Sequence, residues 1–216
     1  MPLKTWGMST ASRVVPAIEL TMVHELVGPG PLLRVPRGRH ASQGIAAHDL
    51  LGSGSPPRPG EISLQRDSAI TAAGGEARCY AADVRQYPAV ESAVNAAAEA
   101  FGGLDVMFAN AGIEGVVKPL LDTTVEEFDR VLAINVRGAF NSIRAAAPAI
   151  AKRGGGAILI TSSVAGLVGA GGLAPYVTSK HAVMGLMKSA AVELAPMKIR
   201  VAAINPGPIE NRMMRS

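Results

Sequence analysis

The C-terminal two-thirds of this sequence predicts an α/β architecture, a doubly wound parallel sheet covered by helices on both faces. Three observations carry that expectation. Short apolar runs of strand length, such as Ala157–Thr161 and Ile199–Ile204, alternate with longer stretches of helical pattern. The runs are apolar almost throughout rather than alternating, as strands buried on both faces are. Each run also ends at residues suited to turning or binding: Asp83, Asn110-Ala111-Gly112, Ser162-Ser163 and Pro206-Gly207. Ligands of parallel sheets sit beyond the carboxyl ends of the strands, so these four stretches point at one edge.

The elements follow in order. Ala77–Ala82 reads as a strand leading to Asp83. Pro88–Phe101 is an alanine-rich helix, with Pro88 near the start, where its missing N–H is harmless, and Gly102-Gly103 as the stop. Leu104–Ala109 is a second strand. Thr124-x-x-Glu127 has the spacing of a capping box and opens a helix running toward Ile150. Ala157–Thr161 is the third strand, a helix carrying Tyr176 and Lys180 extends to about Leu194, and Ile199–Ile204 is the fourth strand.

Residues 1–68 read differently. They hold 8 of the 15 prolines, and proline at that density, mixed with glycine, breaks both helices and ladders. Only Ile18–Val27 has enough uninterrupted apolar content for a short helix or strand. The expected division is a Pro/Gly-rich segment over 1–68, disordered or a degraded first βαβ unit, and a core over 69–216. The change of composition near Ser68 leads to the expectation that 1–68 come from another reading frame or start, and that the C-terminal end is a truncation.

Bulk properties narrow the function classes. The 216 residues are 48% hydrophobic with a mean hydropathy of +0.24, enough for one well-buried domain. The core span 69–216 carries 14 Lys/Arg against 12 Asp/Glu without a basic run, and aromatics make up 4% of the chain, so a nucleic-acid surface is not expected. Cys79 is the only cysteine, so no intrachain disulfide forms, and a reducing compartment is the expectation. No segment is apolar over the length of a signal peptide or membrane span, which makes cytoplasmic the default. His24, His40, His48 and His181 show no metal-ligand spacing, so no metal is expected.

The chemistry is written around residues 154–180. Tyr176 and Lys180 are four residues apart, about one helical turn, so phenol and ammonium project from one face. Their helix starts close to where the strand before Ser163 ends. A hydroxyl, a phenol and a cation in one cleft suit proton transfer to a carbonyl or alcohol oxygen. Singly, each residue has a plainer explanation: Asn110 to Gly112 as a strand-exit turn, Ser163 as a turn cap, Tyr176 as a helix-start aromatic. Likewise Lys180 reads as a solvated charge, Asn135 as a satisfied core amide, Asp83 as a helix N-terminal acid and Pro206-Gly207 as an ordinary turn. Jointly they favour a site.

With Asp83-Val84, Asn110-Ala111-Gly112, Asn135, Ser163, Tyr176-x-x-x-Lys180 and Pro206-Gly207 in these positions, the stretch from about 69 to 212 resembles a compact, single-domain short-chain dehydrogenase/reductase. The resemblance implies a Rossmann-like sheet, incomplete here, with the first βαβ unit and last strand missing or altered. It implies NAD(P)-dependent hydride transfer between a carbonyl and a secondary alcohol, on a small-molecule substrate. Tyr176 would be the general acid/base. An ordinary phenol titrates near pKa 10, and bringing it to neutrality takes about 4 kcal/mol, which the Lys180 charge and an oxidised nicotinamide would supply. Ser163 would bind the substrate oxygen, and Asn135 would hold a water linking Lys180 to solvent. Asn110, Ala111 and Gly112 would close on the cofactor, together with Tyr176 and Lys180. Asp83 and Val84 would border its adenine, and Pro206, Gly207 and Ile209 its nicotinamide. A homo-dimer or homo-tetramer through the helices of Asn135 and Tyr176 is the assembly implied, with neither nucleic acid nor membrane as a partner.

The resemblance has gaps. A T-G-x-x-x-G-x-G turn, whose backbone N–H groups would bind the pyrophosphate, is absent from the sequence, and the nearest text is Arg39 to Ala46. No residue identifiably chooses between NAD and NADP. Asn211 stands where the family has a Thr. The competing expectations are a catalytically impaired or silent fold relative acting in binding or oligomerisation, and relatives acting as epimerases or dehydratases on nucleotide sugars.

Overall fold

The computed structural model describes the backbone of Ala17–Leu20, then Arg78, Tyr80 and residues 82–208. The expectations for Cys79, Ile209, Asn211, His24, His40, His48 and the stretch Arg39 to Ala46 lie outside these residues.

Among the described residues, four strands form one parallel sheet in the order β1 (Ala17–Leu20), β2 (Val106–Ala109), β3 (Gly156–Thr161) and β4 (Ile199–Ile204). Val106 is opposite Ala157 and Thr161 opposite Ile204, so β2, β3 and β4 end level with one another. The three motif stretches that follow therefore emerge side by side. β1 pairs with β2 through Leu20 and Ala109, a strand drawn from the start of the apolar run that composition picked out in the N-terminal segment.

The first helix, α1 (Tyr87–Phe101), has Pro88 in its opening turn and stops at Gly102, whose left-handed φ of 72° lets its N–H return to Ala98 O. The strand expected at Ala77–Ala82 is not observed at the residues described there. Instead, α1 holds them by side chains: the Tyr80 hydroxyl donates to Ala96 O at 3.3 Å, and the Arg78 guanidinium lies 5.6 Å from the centre of the Phe101 ring.

The expected long helix is interrupted. Helix α2 (Val125–Leu132) begins at the full capping box: Glu127 N donates to the Thr124 hydroxyl, and Thr124 N to the Glu127 carboxylate. One π turn, Ala133–Arg137, follows, and then α3 (Gly138–Lys152). Asn135, a poor helix former, sits in the middle of the π turn. Gly138 opens α3 because a Cβ there would lie 2.8 Å from Val84 Cγ2. The last helix is α4 (Ala174–Leu194).

Met107, Ile158 and Ile160 are at most 1% exposed and meet Val90, Val94, Ile150 and Ile199 in one core. Each such side chain contributes about 2 kcal/mol by leaving water. Gly156 lets β3 start there, since a Cβ would overlap Asp105 O and stand 2.7 Å from Ile150 Cγ2.

Two outcomes follow for stability. Thr124→Ala removes the cap and should cost about 1 kcal/mol in urea unfolding, with the m-value unchanged. Gly156→Ala should cost more, about 1–3 kcal/mol, because backbone rather than a side chain must yield.

Candidate functional site

The exits of β2, β3 and β4 are fastened to one another. The Thr161 hydroxyl donates to Asn110 Oδ1 at 2.6 Å, joining the ends of β3 and β2. Ser162 N donates to Ile204 O at 2.8 Å and Val164 N to Pro206 O at 3.0 Å, joining β3 to β4. Ser163 is extended and caps a short 3-10 turn, its hydroxyl accepting from Ala165 N at 3.2 Å. That hydroxyl thus has the turn-capping role that its plainer explanation gave it, while still standing beside the phenol of Tyr176.

Lys180 is 5% exposed, which rules out a solvated charge. Its ammonium donates to Thr161 O at 2.9 Å and lies 5.5 Å from the centre of the Tyr176 ring. The two side chains share a face of α4, as their spacing predicts. Burial pulls the Lys180 pKa down to about 8. The Ser162 hydroxyl donates to Lys180 O at 3.2 Å, anchoring this turn of α4 to the end of β3. A Cβ on Gly166 would reach both groups, so the approach needs glycine there.

The expected depression of the Tyr176 phenol is not what the chain's own groups produce. Burial raises its pKa, the Ser163 hydroxyl works the other way, and the Glu114 carboxylate adds to the rise. The chain alone therefore keeps Tyr176 protonated at neutral pH.

Asn135 is 2% exposed and fully engaged through its amide nitrogen. Nδ2 donates to Ile113 O at 2.8 Å and to Ser179 Oγ at 2.9 Å, while Oδ1 accepts from Ile113 N at 2.8 Å. It clasps the peptide one residue past Gly112. A Cβ on Gly112 would stand 3.3 Å from Asn135 Oδ1 and 3.5 Å from Lys180 Nζ, so the bare backbone leaves a cradle in front of both. Asn110, Ala111 and Gly112 thus lie with Asn135 and Lys180, and Pro206 lies with Ser163. Gly207 is exposed, with no atom of the described residues within 4 Å of where a Cβ would stand.

Asp83 and Val84 are held by bonds of their own. The Asp83 carboxylate is gripped by Arg85 at 2.7–3.0 Å through its guanidinium and at 2.9 Å through its backbone N–H, and the guanidinium holds its pKa below the usual range. Val84 is 2% exposed, and its carbonyl accepts from Asn141 Nδ2 at 2.8 Å. These bonds fix the pair against the first turns of α3.

Sequence reasoning missed four contributors: Thr161, Ser179, Ile113 and Glu114. Two had a readable signal, being polar residues at a strand's last position and immediately before Lys180. Ile113 enters through its backbone, and nothing in its side chain announces that.

Comparison with known proteins bears on the family. The family model described as short chain dehydrogenase matches residues 61–216. The cyclohexanol dehydrogenase of Acinetobacter sp. (strain SE19) is 39% identical over 145 residues, covering 67% of this chain and 58% of that protein. The levodione reductase of Leifsonia aquatica is 39% identical over 146 residues, covering 68% and 55%. The solved structure of an NAD+-bound xylitol dehydrogenase superposes with a TM-score of 0.69 at 38% identity, covering 71% of this chain and 59% of that one. The chain thus spans less than two-thirds of the length of these proteins. With parallel strands, helices and motif residues in this order, and a family match over most of its length, the chain belongs to the short-chain dehydrogenase family.

Proposed function

We propose that this chain acts as an NAD(P)-dependent oxidoreductase that interconverts a carbonyl and a secondary alcohol, with Ser163, Tyr176, Lys180 and Asn135 as its working residues. The observation that supports this best is the meeting of phenol, hydroxyl and buried ammonium at the common end of β3 and α4. The dehydrogenase and reductase names of its relatives support the reaction class. Asn110, Ala111, Gly112 and Lys180, with Pro206 and Gly207 at the neighbouring strand exit, are the described residues we assign to a nicotinamide cofactor, and Ile209 would join them. A bound nicotinamide supplies or accepts the hydride.

The chain's own residues handle the oxygen and its proton. The Ser163 hydroxyl donates to the substrate oxygen and stabilises the negative charge that grows on it. Tyr176, protonated at neutral pH, gives its proton to that oxygen during reduction. Lys180, with a pKa of about 8, is mostly cationic at neutrality and stabilises the phenolate left behind. Asn135 holds the Ile113 peptide and so the floor of the cradle.

A second reading, a silent fold relative, draws support from the missing phosphate-binding turn. Several charge-assisted hydrogen bonds at roughly 1.5–3 kcal/mol each would go with it, enough to cost orders of magnitude in affinity. As its assembly, we propose a homo-dimer or homo-tetramer through the helices of Asn135 and Tyr176. A groove of about 850 Å³ there combines apolar Leu132, Val136, Phe140 and Leu186 with Arg137 and Glu126, residues of both signs on one face.

Titration of nicotinamide fluorescence separates the two readings: saturable binding of NADH or NADPH supports the enzyme, and none up to millimolar supports the silent relative. With cyclohexanone as the probe, Tyr176→Phe should lower turnover by roughly 10²–10⁴-fold and leave cofactor binding intact. Turnover that persists removes Tyr176 from its role. Lys180 makes a prediction about stability. Its folded pKa of about 8 lies below the unfolded value of 10.5, so the unfolded chain holds more protons between them and stability rises with pH across that window. Relative to Lys180→Met, the wild-type protein should therefore gain on the order of 2 kcal/mol between pH 7 and pH 10. A constant difference would show the ammonium to be solvated. Phe140→Asp should shift sedimentation toward the monomer.

A further inference from the structure

We propose that Ser179 is a positioning residue, the joint through which Asn135 and Tyr176 are set relative to each other. Its consequence in catalysis rests on the oxidoreductase reading, and the rest on the hydrogen bonds of Ser179 and Asn135. Ser179 is 0% exposed, so its hydroxyl depends on protein partners. It has two. The hydroxyl donates to Tyr176 O at 2.7 Å and accepts from Asn135 Nδ2 at 2.9 Å.

The order of donors matters. A serine has one hydroxyl proton, and here it goes to the Tyr176 carbonyl. Only lone pairs then face Asn135, which must present its NH₂ group to Ser179 and keep Oδ1 away. That is also the orientation the Ile113 peptide demands, since Ile113 N–H needs Oδ1 and Ile113 C=O needs Nδ2. The result is one line of bonds from the Ile113 peptide through Asn135 and Ser179 to the backbone of Tyr176. It joins the loop after β2, the π turn and the first turn of α4, three segments with no ladder between them. With both N–H groups of Asn135 occupied, Oδ1 and Lys180 Nζ both stand within 3.5 Å of where a Cβ on Gly112 would be.

Ser179 touches neither the cradle nor the phenol, so its effect runs through residues that do. Without its hydroxyl, Asn135 keeps a single partner for its NH₂ group and gains freedom to rotate within a π turn. The clasp on Ile113 loosens, and the phenol and the cradle floor lose their fixed relation. Misplacement of this kind, well under the size of a side chain, costs rate far more than binding.

The deciding measurement is amide hydrogen exchange by NMR on the cofactor-free chain, comparing wild type with Ser179→Ala. The Ile113 N–H should exchange at least about tenfold faster in the variant while Ile158 and Ile160 in β3 keep their protection. Ser179→Cys, which fills nearly the same volume but hydrogen-bonds weakly, should reproduce the selective loss and serves if the alanine variant folds poorly. Unchanged Ile113 exchange overturns the proposal, and so does a uniform rise across α4 and β3, which marks a residue that only stabilises. In turnover of cyclohexanone with NADH, Ser179→Ala should lower kcat by about tenfold or more with KM little changed. A fall in KM-governed binding with kcat intact also overturns it. Should the wild-type chain show no turnover, the oxidoreductase reading fails and the exchange result still decides the role of Ser179.

Discussion

A buried ammonium is the constraint around which this site is organised. Lys180 lies almost entirely out of water, and its charge is met by the main-chain oxygen of Thr161 rather than by a carboxylate. Removing a cation from water costs several kcal/mol, and a single carbonyl dipole returns only part of that. The fold therefore holds a cation under tension, with a depressed affinity for its proton. Everything nearby serves to keep it there: Ser162 anchors the backbone of Lys180, Gly166 permits that approach, and Thr161 ties its own side chain across to Asn110. A solvated lysine would offer a mobile charge, whereas this one offers a fixed field at a fixed place.

The loops around it are immobilised by the same means. Backbone bonds stitch Ser162 to Ile204, Val164 to Pro206 and Lys118 to Gly172, so the segments leaving β2, β3 and β4 are braced against one another. Active sites built this way place their groups before a substrate arrives and do not spend binding energy on ordering them. The phenol is the exception. Its surroundings favour the protonated form, which makes the resting chain ready to give a proton rather than take one.

Much of this was legible in the residues themselves. Strand β4 was readable at both ends, and the boundaries of β3, α1 and α4 within a residue or two, because apolar runs, Pro88, Gly102 and the spacing from Tyr176 to Lys180 act locally. The Thr124 capping box was readable for the same reason. What could not be read depends on long-range pairing. Strand β1 forms because β2 lies beside it, not because Ala17 to Leu20 prefer extension in isolation. The hold of Arg85 on the Asp83 carboxylate was not readable either, since it depends on how the turn joining them folds. Nor was the direction of the Tyr176 shift in the chain by itself readable, because the burial of the phenol and the approach of Glu114 are set by the fold.

The π turn between α2 and α3 has a consequence for the architecture as a whole. One additional residue in a helical turn advances every later side chain by about 100° around the axis. A straight helix over Val125 to Lys152 would present one stripe to one neighbour. With the phase shifted at Asn135, the same length of chain turns one flank of α2 to α4 and a different flank of α3 to α1 and the sheet. Val131 is accordingly the one fully buried side chain of α2, whereas α3 buries nine residues. The inserted residue thus acts as a gear between two packing interfaces, and Asn135 rides on its tooth.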